Sequence, residues 1–188
     1  HDGTNSYIYN LTNDLLIQND AAVEITAKSG GTKRFRFDSD GLKFGTDTAA
    51  ANALDDYEEG TWTPRYQTSN GNWTGSMSNQ DGSYTKIGNI VHVKFRIHWG
   101  SVGGSGTFRI TALPFTVANT ASDEGGGLII GWRSGFNYPQ VVSFFRINTQ
   151  QLQFGYISSS SPYGSFDISV GALASTGYVY CSGAYAAA

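Results

Sequence analysis

Four carboxylates crowd into five positions at Asp55, Asp56, Glu58 and Glu59, the densest group of ionisable side chains in the sequence. Two carboxylates about 5 to 10 Å apart can flank a sugar bond as a glycosidase pair. That chemistry needs one carboxyl raised by an apolar surrounding, and the polar run Asp55-Asp56-Tyr57-Glu58-Glu59-Gly60 offers none. The group is therefore read as a connector, and the chain as no enzyme. His92 and His98 share one face of an alternating run, but six residues of strand separate them by about 20 Å. One chain cannot bring both to a metal; across a threefold axis, either could meet its own copies. The favoured reading is a polar stripe with Lys94 and Arg96. Asp38-Ser39-Asp40-Gly41 opens like a calcium loop but lacks the later ligands and the closing Glu, so it reads as a turn. Neither metal nor cofactor is expected.

Cys181 is the single cysteine, which excludes an intrachain disulfide; its neighbours Tyr178, Val179 and Tyr180 place it in a buried strand. No Gly-x-Ser-x-Gly elbow occurs. Gly103-Gly104-Ser105-Gly106 and Gly125-Gly126-Gly127 lack the lysine of a phosphate loop. What remains is a set of loop aromatics, Trp73, Phe136, Tyr138 and Tyr163, two of them beside Arg133 and Asn137. Rings among adaptable polar groups make a recognition surface at low entropic cost. A sugar, apolar on one face and hydroxylated at its rim, suits it, so these six residues are the candidate receptor site. The alternative is that the rings fill gaps in a core or between subunits.

The elements that must position these groups are β-strands. Charged residues are 14% of the chain and 24 of its 188 residues are glycine, a composition for an all-β protein with many turns. Five basic and six acidic groups lie in 1–46, five acids and no base in 47–60, and seven bases with four acids in 61–188. Nothing approaches the basic density of a nucleic-acid binder, and no apolar run is long enough to insert in a membrane.

Residues 1–46 carry apolar couplets at i, i+2: Leu15/Ile17, Val23/Ile25, Phe35/Phe37 and Leu42/Phe44, separated by Asn, Asp and Gly turns. Strands this short have no opposing layer within the segment, so other chains are expected to supply one; the alternative is an ordinary subdomain packed on the head. The alanine-rich 46–56 reads as one to three helical turns within a neck spanning 47–60. From 61 to 188 the alternation is longer. Val91, Val93, Phe95, Ile97 and Trp99 interleave with His92, Lys94, Arg96 and His98, one buried and one polar face. Nine or so strands predict an antiparallel β-sandwich head, jelly-roll-like. Trp62 is expected to be a buried anchor at its entrance, with Pro64 confining the strand to an edge.

Leu54-Asp55-Asp56-Tyr57-Glu58-Glu59-Gly60-Thr61-Trp62-Thr63-Pro64, followed by Tyr84-Thr85-Lys86-Ile87-Gly88-Asn89, resembles the junction in phage tail-fibre and virion-appendage proteins where a shaft opens into a C-terminal head. His1-Asp2-Gly3-Thr4-Asn5-Ser6-Tyr7-Ile8 resembles a shaft segment of the same proteins. The resemblance implies a homotrimer, with 1–46 as a fibrous trimeric shaft, and upstream fibre or virion proteins as partners. It implies a place on the virion after assembly in the host cytoplasm, and host cell-surface carbohydrate as the ligand. A start at His1 rather than Met fits a fragment of a longer chain. Two rival readings are a structural capsid or tail decoration, and a depolymerising tailspike built on Asp81, Asp123, Glu124 or Asp167.

Overall fold

The computed structural model of the chain describes residues 23–26, 33–46, 48–50, 53–54, 56–120, 126–158 and 161–188. The chain divides into two compact units, His1–Asp55 and Asp56–Ala188.

In the first unit, β1 (Val23–Thr26), β2 (Lys33–Asp38) and β3 (Gly41–Phe44) form an antiparallel sheet in that order. The couplets Leu15/Ile17 and Tyr7-Ile8-Tyr9 lie outside the described residues. Asp38-Ser39-Asp40-Gly41 makes the β2–β3 turn: the Asp40 N–H donates to Asp38 Oδ1 at 3.0 Å, and Gly41 takes a φ of +121° that a side chain would resist. Register sets Phe35 opposite Phe44, Phe37 opposite Leu42 and Arg36 opposite Lys43. The period of two therefore gathers the apolar residues on one face and the charged ones on the other. The outer edge of β3 is already occupied: Leu42 and Leu54 exchange backbone hydrogen bonds of 3.2 and 2.8 Å.

The charged face is the covered one. Lys43 is 1% exposed, its ammonium bonded to Asp38, Asp40 and the Thr48 carbonyl, while Arg36 Nε lies 2.7 Å from Asp38. Phe35, Phe37 and Phe44 are 40%, 46% and 55% exposed. Where described, the helix-like 46–56 holds a single turn closed by the Ala53 N–H on the Ala50 carbonyl. A segment this short does not sustain a helix.

The second unit is sandwich-like. One sheet runs β4-β6-β7-β13-β9: β4 (Tyr57–Trp62), β6 (Met77–Ile87), β7 (Ile90–Trp99), β13 (Leu173–Ala186) and β9 (Ile129–Phe136). The other runs β10-β11-β8-β5, with β12 on the side of β11: β5 (Arg65–Thr68), β8 (Phe108–Thr111), β10 (Val141–Arg146), β11 (Gln151–Ser158) and β12 (Ser161–Asp167). Every described strand pair is antiparallel. β7 spans the residues the alternation predicts, and the odd positions are buried. Its inner face packs with Tyr66, Phe108, Ile110, Phe145, Leu152 and Phe154 in one core. The chain passes from sheet to sheet at Pro64, so β4 and β5 are both edge strands and Pro64 interrupts neither ladder.

Two boundaries differ from expectation. β4 begins at Tyr57, inside the segment read as neck, because Tyr57 through Trp62 pair in register with Ile87 through Gly82. Likewise β6 begins at Met77, inside a Gly-, Asn- and Ser-rich stretch whose composition suggests a loop: Ser78, Asn79 and Asp81 are exposed, Gln80 donates to the Pro64 carbonyl at 2.9 Å, and a bulge with Asn79 at φ +48° carries the strand past Ser78. Trp62 is half-buried rather than buried. Its indole lies over Gly82, where a Cβ would come within 2.4 Å of Nε1, and meets Phe95 edge-on at 5.4 Å.

The core turns on Trp99, 2% exposed, whose Nε1–H donates to the Ala174 carbonyl at 2.9 Å. Gly177 leaves room for it, since a Cβ there would stand 2.2 Å from Trp99 Cζ2. Near the C-terminus, Tyr185 receives the Phe115 N–H at 3.1 Å and donates its hydroxyl to the Phe115 carbonyl at 3.0 Å. Burial pushes its pKa up to about 12.

Candidate functional site

Four of the six residues expected to bind receptor fall in one turn, 133–138, at the end of β9. Arg133 closes that turn by donating to the Tyr138 and Pro139 carbonyls at 3.2 and 2.7 Å, and its guanidinium lies 5.8 Å from the Phe136 ring centre. Phe136 packs inward, 5.6 Å from both Trp99 and Phe108. Tyr138 stacks on Tyr156 at 3.8 Å and 11°, and burial raises its phenol pKa. Asn137 is exposed. Trp73 packs on Tyr66 at 5.1 Å and donates Nε1–H to the Gly75 carbonyl at 2.9 Å. The side chain of Tyr163 lies outside the described residues. The described rings of this set thus have their faces occupied by neighbouring rings of the core. The physical reason is local: β9 continues to Phe136, and the pairing of Leu173 with Phe136 turns that ring toward the sheet's inner side.

The acidic connector is likewise engaged. Asp56 pairs with Lys86, Glu58 accepts from the Tyr84 hydroxyl, and Glu59 accepts from Tyr57 Oη at 3.0 Å. Hydrogen bonding to those carboxylates raises the Tyr84 and Tyr57 pKa values. Asp55, Asp123 and Glu124 lie outside the described residues; Asp81 sits in one sheet and Asp167 in the other.

Exposed rings occur elsewhere, on the outer face of the β4-β6-β7-β13-β9 sheet. β9 skips a residue at Gly131, so that Trp132 pairs with Tyr180 and Ile130 with Cys181. This bulge aims Trp132 outward, 64% exposed. Tyr178 meets it edge-on at 5.7 Å and Tyr180 lies at 5.8 Å. His98 completes the group, 5.3 Å from Tyr178, with Nε2 3.0 Å from Tyr180 Oη and Nδ1 3.3 Å from Asn79 Nδ2. Beside the rings, Arg96 Nε pairs with Asp81 at 2.7 Å. Hydrogen bonding to Asp81 raises the Arg96 pKa.

Cross-strand register arranges this face in rows. Asp81, Arg96, Tyr180 and Trp132 form one; Ser83, Lys94, Ser182 and Ile129 form the next. Between them lies a depression of about 440 Å³, floored by Gly82, Phe95, Cys181 and Gly131. Beyond the second row lies another of about 370 Å³, reaching Thr85, His92 and Gly183. Such a surface can stack an apolar ring face and offer hydrogen-bond partners of both kinds.

The sequence marks half of this surface. His92, Lys94, Arg96 and His98 are legible as a polar stripe, and Tyr178 and Tyr180 alternate with Val179 and Cys181, which sets them opposite the buried cysteine. Trp132 follows the apolar run Leu128-Ile129-Ile130, the surroundings of a core strand, and Gly131 is the local sign that a bulge reverses its side. No protein-family profile matches the chain, and neither curated proteins nor solved structures give a match.

Proposed function

We propose that the chain is part of a homotrimeric phage tail fibre or other virion appendage, with 1–46 as fibrous shaft and the jelly-roll-like sandwich as a head that attaches to host-surface glycan. One observation carries the reading. The β1–β3 sheet covers its charged face and leaves Phe35, Phe37 and Phe44 at 40–55% exposure, an arrangement that favours burial against further chains. Identical copies suit it because the described side chains of this face carry no charge that burial would strand, and the Leu42–Leu54 bridge blocks growth through the β3 edge. The junction motif makes three the number. The exposed rings around Trp132 support an attaching head; three linked heads would gain avidity of about a hundredfold or more over one.

Light scattering tests the assembly: a particle of three 20.2 kDa chains is expected, and a folded monomer at micromolar concentration overturns it. Attachment to host cells, competed by their purified surface polysaccharide, tests the head. A purely structural head is the second reading, favoured by Tyr57, Ile87, Ile90 and Ile129, all exposed on the sheet that carries the rings. Trimeric protein with no attachment would support it.

A further inference from the structure

We infer that the outer face of the β4-β6-β7-β13-β9 sheet binds an acidic sugar, the rings of Trp132 and Tyr180 taking the pyranose face and Lys94 meeting its carboxylate. This rests on the glycan-binding head proposed above and adds the place and the charge of the ligand.

Shape comes first. Ser83 and Ser182 are short side chains on either side of Lys94, and the two depressions open along this row over the backbone of Gly82, Gly131 and Gly183. The wall on one side is Arg96 and Tyr180, and Trp132 continues their row past Tyr180. Its rings are held in place before any ligand arrives: Tyr178 stands 5.7 Å from both Trp132 and Tyr180, and the Tyr180 hydroxyl is fixed on His98. A stacking platform whose rotamers are already set loses little entropy on binding.

Charge then selects the ligand. Arg96 is compensated by Asp81, with oxygen lone pairs left to accept from sugar hydroxyls. Lys94 is exposed, lines both depressions, and has no ion-pair partner among the described residues. A carboxylate placed over the central row would gain a charge-assisted hydrogen bond from its ammonium, and the hydroxyls of Ser83 and Ser182 flank that place. The same lysine argues against a second copy of the chain as the occupant. A subunit contact closing over this row would bury an unpaired ammonium, a cost apolar burial does not offset. Of the exposed aliphatic residues, Ile87 and Ile90 stand at the far end of the sheet from the rings, paired with each other across the β6–β7 hairpin, while Ile129 closes the Ser83–Lys94–Ser182 row.

Calorimetry on the intact protein, with a hexuronic-acid tetrasaccharide and its neutral hexose counterpart as probes, tests the inference. The acidic probe should bind at least about tenfold tighter at low ionic strength, with the advantage shrinking as salt rises. Lys94→Gln should remove that advantage and leave the neutral probe unaffected. Trp132→Ala should weaken both by tenfold or more, with melting temperature and particle mass unchanged because the side chain is exposed. Equal binding of the two probes, with Lys94→Gln silent, overturns the acidic ligand while leaving a glycan-binding head. Binding of neither, while host cells are still captured, overturns the site and leaves the attachment reading standing. A fall in particle mass for Trp132→Ala overturns it in favour of a subunit contact.

Discussion

The β1–β3 sheet and the sandwich are built from the same period-two alternation, yet they bury opposite faces. In the sandwich, Val91, Phe95 and Trp99 go inward and Lys94 and Arg96 outward, and a second sheet supplies the wall that makes this favourable. In the small sheet, Lys43 is sealed by Asp38 and Asp40 while Phe37 and Phe44 face out. Short strands of four to six residues, one layer deep, have no second layer on the aromatic side among the described residues. The difference separates a unit with a buried apolar core from a unit whose described aromatic residues stay exposed.

The comparison breaks most sharply at Trp99. Trp99→Ala should cost about 3–5 kcal/mol, the range for large buried aromatics, and the loss should not depend on protein concentration. Chemical denaturation followed at two concentrations checks both points. A concentration-dependent loss would mean that the sandwich too leans on other chains. Trp62→Ala should cost less, roughly 2 kcal/mol, since half of the indole already meets solvent; a loss equal to that of Trp99→Ala would show the edge strand closing a deeper core.

Phe37→Ser tests the other side. Serine replaces an exposed ring, so the melting of an isolated chain should shift by no more than about 0.5 kcal/mol. Particle mass should fall toward that of the single chain. If mass holds and melting drops instead, the ring is covered within its own chain and the contrast between the sheets fails.

The two regions should also part with pH, by the smallest effect. In the small sheet, burial raises the Asp38 carboxyl, but the Asp40 N–H, Lys43 and Arg36 outweigh it and hold the pKa below its unfolded value. Its contribution is present above about pH 4 and is lost as pH falls through the lower folded value. Tyr185 runs the other way: its folded pKa of about 12 lies above the unfolded value near 10. Its contribution is complete below about pH 10 and fades as pH rises toward 12. Acid should therefore loosen the small sheet before the sandwich, whereas alkali reaches both, since the Asp40 hydrogen bond raises the Lys43 pKa as well; amide exchange resolved by segment would show it. Asp38→Asn should flatten the acid limb alone.

Strand β7 was legible residue by residue because burial on one face repeats every second position without a break. The candidate site was less legible. Phe136 and Tyr138 sit among Asn, Ser and Gly, the surroundings of a loop, yet Trp99, Phe108 and Tyr156 lie close enough to take their ring faces. Trp132 sits in an apolar run, the surroundings of a core, yet the bulge at Gly131 turns it out. Neighbours in sequence report a residue's average environment, whereas a bulge changes its side by one position.

By itself, the sequence determined the class of structure: all-β, antiparallel, short couplets ahead of long alternating strands, and a polar stripe on β7. Those follow from side-chain period and turn chemistry, which act within a few residues. Only the tertiary structure decided that Lys43 is covered while the phenylalanines beside it are not, that Trp62 rests on Gly82 and leaves half its surface in water, and that Trp132, Tyr178, Tyr180 and His98 meet on one face. Each depends on strand register and on which sheet lies opposite, contacts between residues tens of positions apart that no local pattern specifies.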